Sequence, residues 1–215
     1  MLRRCQKSAG ILVAVAISSL LALVLFGDLL LPGRIHADCF PGGDTYRHLV
    51  IWASAKNSIA AGFWPFWVPE IADGFPLWAS FQWGLASPAF LLFVLLPVEL
   101  AHTASAVLHL VLAGCGIYCL SQRLSVGRFG GLIALVSYAF SSFFVGRIAV
   151  GHIFLVWPMA WLPWSLWALD RAILRPTGAR VAVASLLLCA ALTAGHVHMA
   201  TYVYPLFLVW AIGRL

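Results

Sequence analysis

Apolar and polar positions along this chain fall into long blocks. A nearly unbroken apolar run covers Ile11 to Leu31, behind the basic residues Arg3, Arg4 and Lys7. It is too long for the apolar stretch of a secretion signal, and no small-x-small cleavage site follows, so it reads as a first membrane-crossing helix over 11–31. Five further apolar blocks, 103–120, 129–145, 153–169, 179–195 and 197–212, read the same way. The stretch between the first block and the rest, 32–102, has another character. It holds Asp38, Asp44, Glu70 and Asp73 among many Gly, Pro and Trp residues. An irregular backbone of this kind leaves polar groups unpaired in hydrocarbon, so it lies against a membrane face.

Within that stretch, Gly42-Gly43 marks a turn and Asp44 or Thr45 stands where a helix N-cap is expected. The helix is predicted to run to Ala61 and stop at Gly62, with Asp44, Arg47, His48 and Ile51 on one face. Trp64, Trp67, Trp78 and Trp83 follow among Pro65, Pro69 and Pro76, a density of indole rings suited to the headgroup layer. Segment 87–97 is apolar but short, and broken by Pro88 and Pro97.

Whether 87–97 crosses decides the topology, and the basic residues decide that. If it lies in the interface, nine of the thirteen Lys and Arg residues fall on the cytoplasmic side: Arg3, Arg4, Lys7, Arg123, Arg128, Arg171, Arg175, Arg180 and Arg214. Arg34, Arg47, Lys56 and Arg147 are then outside. If it spans, the split reverses. Positive residues favour the cytoplasm, so the segment is taken as interfacial. The expected architecture is a single membrane domain over 1–215. It is an all-α integral membrane bundle of about six transmembrane helices, with a large first extracytoplasmic loop carrying amphipathic and interfacial helices.

Composition agrees: the chain is 63% hydrophobic and 9% charged, far too apolar for a soluble core of 215 residues. The net charge of +6 lies in short clusters between apolar runs, which excludes a nucleic-acid face. Five cysteines, three of them inside apolar runs, imply neither a disulfide framework nor a zinc site.

The chemistry-bearing groups gather on the outer side in this topology. They are Asp44, Arg47, His48, Glu70, Asp73, Arg147, His152, His196 and His198. The helix interiors hold almost nothing ionisable apart from His109, which argues against a proton-coupled transporter. Val150-Gly151-His152 and Ala194-Gly195-His196 each introduce an apolar helix containing a proline. Their histidines are 44 residues apart, about two spans of ~20 residues and a turn, so they should return to one face. Acids with Arg and His at a membrane edge suit transfer from a lipid-linked phosphate. A carboxylate accepts a proton from a hydroxyl, while Arg, His or a metal steadies the departing phosphate. Each group also has a plainer role. Asp44 caps a helix, Glu70 and Asp73 are solvated loop acids, Arg147 snorkels to headgroups, and His152 and His196 bond at helix ends. His196 and His198, two apart, would point away from each other on a regular helix. Trp157, Trp161 and Trp164 at helical spacing read as packing.

The motifs GDTYRH at Gly43–His48, GFWPFWVPEIADGFPLW at Gly62–Trp78 and FQWGLASP at Phe81–Pro88 come in this order. SQRLSVGR at Ser121–Arg128, GRIAVGH at Gly146–His152, WPMAWLPW at Trp157–Trp164 and AGHVHMATY at Ala194–Tyr202 follow. Together they resemble the bacterial integral-membrane family called YfhO-type, within the GT-C glycosyltransferase superfamily. The resemblance implies a catalytic Asp in the first external loop, best matched by Asp44, and a polyprenyl-phosphate-linked sugar as donor. Arg47, His48, Arg147, His152, His196 and His198 would bind phosphate or substrate, with Glu70 and Asp73 as secondary acids. A glycan, lipid or protein would be the acceptor, and a divalent metal, Mg²⁺ or Mn²⁺, is left open. The setting implied is the bacterial inner membrane, multi-pass, with a cytoplasmic N-terminus. Two departures stand out. Val197-His198 replaces a usual Pro-Gln, and 215 residues hold fewer helices than the family's members. The chain is therefore expected to be an N-terminal part or a short relative. The alternatives are a non-catalytic protein binding or moving lipid-linked glycans, and an assembly subunit.

Overall fold

The computed structural model describes residues 2–31, 34, 43–80 and 82–214, without the side chains of 2–8 and 200. Asp38, Cys39 and Phe81 lie outside the described residues, as does the Gly42 turn position. The described residues are all-helical apart from turns and one antiparallel bridge between Val68 and Phe75.

Helix α1 (Leu2–Phe26) continues into a short 3-10 turn at Gly27–Leu30. Helix α2 (Asp44–Ala60) matches the expected loop helix at its C-terminal end. Its N-cap, however, is Gly43, and Asp44 is the first helical residue, with no side chain capping the helix. The expected capping role of Asp44 or Thr45 is therefore absent, and the Asp44 carboxylate is left for other partners. Segment 87–97 contains α3 (Phe90–Leu95). Six residues rise only about 9 Å, far less than a bilayer. Lys56 on α2 donates to the Leu96 carbonyl at 2.6 Å, closing the end of α3.

The remaining helices are α4 (Val98–Arg123), α5 (Gly127–Ala139), α6 (Ser142–Ala149), α7 (Ile153–Leu174), α8 (Gly178–Thr193) and α9 (Val197–Arg214). The expected helix over 129–145 is thus two, parted at Phe140-Ser141. Among the described residues, three stretches are long and apolar enough to cross a membrane: Ala9–Leu30, Val98–Arg123 and Gly127–Ala149. Gly178–Thr193 is apolar but shorter.

Helix α4 packs against α1, α5 and α7, and α7 also packs against α8 and α9. Two prolines within α7 explain part of this arrangement. Proline has no N–H, so the carbonyl four residues earlier loses its helical partner. Pro158 frees the Phe154 carbonyl, which instead accepts the His196 N–H at 3.3 Å. Pro163 frees the Met159 carbonyl, which accepts the Tyr138 hydroxyl at 2.7 Å. Each orphaned acceptor thus becomes a tertiary contact, the first to the turn before α9 and the second to α5. Ser165 and Trp164 add bonds to the Leu187 and Leu112 carbonyls, tying α7 to α8 and α4.

One end of the bundle is closed by fully buried Asp170, which pairs with Arg123 of α4 and, at 2.5 Å, with Arg214 of α9. Near the other end, the core is aromatic. Trp52 of α2 stacks on Trp157 of α7 with ring centroids 5.9 Å apart, and Trp157 stacks on His109 of α4 at 5.2 Å. This packing fixes α2 against the bundle, and with it Asp44, Arg47 and His48.

Candidate functional site

The site is assembled from four chain segments, and a turn at the end of α6 is the piece that orders it. Gly151 has φ +77, a left-handed conformation that favours glycine. Its N–H donates to the Ile148 carbonyl at 2.9 Å, and the His152 N–H donates to the Arg147 carbonyl at 2.8 Å. That pair of bonds is a Schellman cap, which fixes His152 directly beyond Arg147. Buried His102 of α4 donates from Nε2 to the Gly151 carbonyl at 3.2 Å, pinning the turn to the core.

His152 is the N-cap residue of α7, but its ring makes no capping bond. It faces α2 instead. Arg147 Nη1 lies 3.3 Å from His152 Nδ1, and His152 Nε2 lies 2.7 Å from Asp44 Oδ2. A guanidinium only donates, so Nδ1 accepts and the ring proton sits on Nε2, donated to Asp44. The three groups form one chain, Arg147 to His152 to Asp44. Arg47, one turn along α2, places its guanidinium 3.8 Å from the other carboxylate oxygen. The hydrogen bond from His152 holds the Asp44 carboxyl below its ordinary range. Partial burial opposes this, while the Arg47 guanidinium reinforces it.

His48 is buried beneath this chain. Its ring meets Phe154 edge-on at 4.2 Å and Trp83 at 5.2 Å. His196 lies in the turn between α8 and α9 and stacks on Phe154 at 5.8 Å. Gly195 lets that turn approach: a Cβ there would stand 2.2 Å from the Phe154 carbonyl oxygen. Burial lowers the His196 pKa, and its histidine neighbours His198 and His152 act in the same direction. The two Gly-His pairs therefore serve differently, one glycine for a positive φ and the other for its missing side chain.

A cleft of about 670 Å³ opens over these groups. Asp44, Arg47, His48, Arg147, His152 and His196 all line it, while Ile71, Phe75, Trp83 and Leu155 form apolar wall. Glu70 and Asp73 are exposed on the hairpin that supplies Ile71, and neither lines the cleft. His198 does not line it either. Its Nδ1 is 2.9 Å from that of His196, because His196 precedes α9 and the pair does not share a regular helix. The regular helix on which the two rings would point apart is therefore not present here.

Among the described residues, no group of three His, Cys, Asp or Glu stands close enough to hold a metal ion. Mg²⁺ and Mn²⁺ favour oxygen ligands, whereas the cleft pairs one described carboxylate with arginines and histidines. That donor set fits an anion rather than a hard cation.

Sequence reasoning passed over His102 and Phe154. His102 stands at the margin of an apolar block, and its only signal was a histidine on a helix facing other helices. Compared with known proteins, the chain matches no family model, no curated protein and no solved structure.

Proposed function

We propose that the cleft takes a polyprenyl-phosphate-linked sugar at the extracytoplasmic face of a bacterial inner membrane and transfers the sugar to an acceptor hydroxyl. The observation that carries this reading is the Arg147–His152–Asp44 chain at 3.3 and 2.7 Å, lining one cleft with Arg47 and His196. The bundle is a six-span membrane domain with α2, α3 and their connecting loop outside and the N-terminus in the cytoplasm. Its helices keep the polyprenyl tail in lipid while the polar end of the cleft receives the phosphate. Arg47, Arg147 and His196 bind that phosphate through charge-assisted hydrogen bonds.

In the transfer, the acceptor oxygen bonds to the sugar's anomeric carbon as the bond from that carbon to the phosphate oxygen breaks. The leaving phosphate keeps the electron pair, and the arginines stabilise the charge it gains. The acceptor proton passes to Asp44 through Oδ1, since Oδ2 is held by His152. His152, fixed by Arg147 and its own backbone bond, positions the carboxylate. Among the described residues the cleft offers one carboxylate beside arginines and histidines, and no step is routed through a metal.

One observation favours a second reading, a protein that binds or moves lipid-linked glycans without catalysis. The bond to His152 that lowers the Asp44 pKa also makes the carboxylate a weaker base. Turnover of a short-chain polyprenyl-phosphate hexose by the full chain in proteoliposomes separates the two. Asp44→Asn should lower turnover by ~10²-fold or more and leave donor affinity within a few-fold, because a general base typically contributes ~10²–10⁴-fold. Retention of transfer within a few-fold removes Asp44 as the base. A folded wild type that binds the donor and never turns it over supports the binding protein.

A further inference from the structure

The other end of α7 carries a second polar feature that the transfer reading does not use. A pocket of about 190 Å³ lies on the seam between α7 and α8, lined by Trp167, Ala168, Arg171, Ala179, Arg180 and Val183. Arg171 lies over the Trp167 ring, its guanidinium carbon 4.5 Å from the ring centroid. Arg180 is steadied from two sides. Its Nη1 donates to the Arg175 carbonyl at 2.6 Å, and its N–H donates to the N-cap Thr177 hydroxyl at 3.3 Å. Two guanidiniums are thus held at one pocket, and Arg175 is close by in the same turn. Among the described residues, no carboxylate pairs with any of the three; the buried acid of this end, Asp170, is taken up by Arg123 and Arg214. Three like charges in so short a span repel one another, and an anion in the pocket relieves that repulsion.

The surroundings specify what kind of anion. From Ile153 at the cleft to Arg171 is 18 residues of helix, a rise of roughly 27 Å. That is close to the ~30 Å hydrocarbon thickness of a bilayer, so in the proposed topology the pocket lies at the opposite headgroup layer from the cleft. Trp167 suits that depth, where an indole is enriched. The pocket's apolar wall continues along α8 into Val183 and Leu186, which are exposed at 45% and 69%. An occupant with an anionic head between two guanidiniums and an apolar chain along α8 satisfies both halves.

We infer that the α7–α8 pocket binds the headgroup phosphate of an anionic phospholipid, with Arg171 and Arg180 as its ligands and the exposed face of α8 against an acyl chain. This rests on the membrane reading of the chain and not on transfer chemistry. Failure of the Asp44 experiment leaves it standing, and its own failure leaves the cleft untouched.

The test is native mass spectrometry of the full chain in a neutral detergent. It is titrated with phosphatidylglycerol, with phosphatidylcholine of the same chains, and with inorganic phosphate. The wild type should retain one phosphatidylglycerol about tenfold more tightly than phosphatidylcholine, whose choline cation the arginines at the pocket repel. Arg171→Gln and Arg180→Gln should each weaken phosphatidylglycerol about tenfold. Arg171→Lys should weaken it as well, since an ammonium keeps the charge but loses the planar fork and the contact with Trp167. Arg175→Gln should leave it within a few-fold, because that side chain does not line the pocket. Equal losses for all three glutamine variants would show a diffuse positive surface and overturn the site. So would a wild type with no preference between the lipids, however the variants fold. Displacement of the lipid by inorganic phosphate at comparable concentration would mean that the site takes a free anion instead.

Discussion

His152 has an arginine on one ring nitrogen and a carboxylate on the other, and this decides what Asp44 is able to do. Because the folded pKa of Asp44 is lowered, the pairing stabilises the fold above the ordinary value of 3.8. That contribution is lost as pH falls through the lower folded value. His152→Ala removes the first cause of the shift, so the acid limb of the thermal-melting curve should move upward in pH. An acid limb that stays in place would show that the bond does not form in solution. The side chain of Asp44 is about half exposed, which keeps the effect small. At this scale the sequence was partly legible. Acids, arginines and histidines between apolar runs pointed to a shared edge, and six of the nine nominated residues line one cleft. The partner of each was not legible. Asp44 and His152 are 108 residues apart, and nothing in local spacing joins them. The capping role failed because Gly43, not Asp44, takes the extended conformation before the helix.

Among the elements, the turn from α6 to α7 and the turn from α8 to α9 carry the site. Two glycines only five residues apart make opposite predictions. Gly146 is inside α6 with open space where a Cβ would go, so Gly146→Ala should raise stability by ~0.5–1 kcal/mol. Gly151 sits at φ +77, so Gly151→Ala should cost about 1–2 kcal/mol and shift His152 away from Asp44. Melting temperatures of the two variants in one detergent check this. A neutral Gly151→Ala would contradict the Schellman cap. Most helix boundaries were readable from the apolar blocks because proline, glycine and charge interrupt them. The break at Phe140-Ser141 was not, since no proline or glycine marks it. The prolines of α7 were visible, but their consequence was not. Which donor would take up the freed Phe154 and Met159 carbonyls depends on helices far away in the chain.

For the whole molecule, the basic residues and the packing agree on which groups share an end. Arg123, Asp170 and Arg214 are in contact at one end of the bundle, and His152 begins α7 at the other. The proposed topology places Arg123 and Arg175 in the cytoplasm and Lys56 and His152 outside. Single cysteines at these positions, in a cysteine-free background, should react with an impermeant reagent only at 56 and 152 in intact cells. Labelling of 123 from outside would mean that segment 87–97 crosses the membrane. The all-helical character of the described residues, and the presence of helices long and apolar enough to span, followed from apolar block length alone. Among the described residues three stretches meet that length and apolarity, while α7 mixes prolines and tryptophans with apolar residues and α8 is short.

The most direct test is of occupancy: that a lipid-linked phosphate sugar enters the cleft over Asp44. The full chain in proteoliposomes would be illuminated with a photoreactive polyprenyl-phosphate hexose and the labelled peptides mapped by mass spectrometry. Label should fall on the start of α2 and on the turn around His152. Excess unlabelled donor should displace it, and combined Arg47→Gln and Arg147→Gln substitution should remove most of it. Label confined to the Asp170 end of α7, or unchanged by the loss of both arginines, would contradict the proposal that the cleft is where the donor binds.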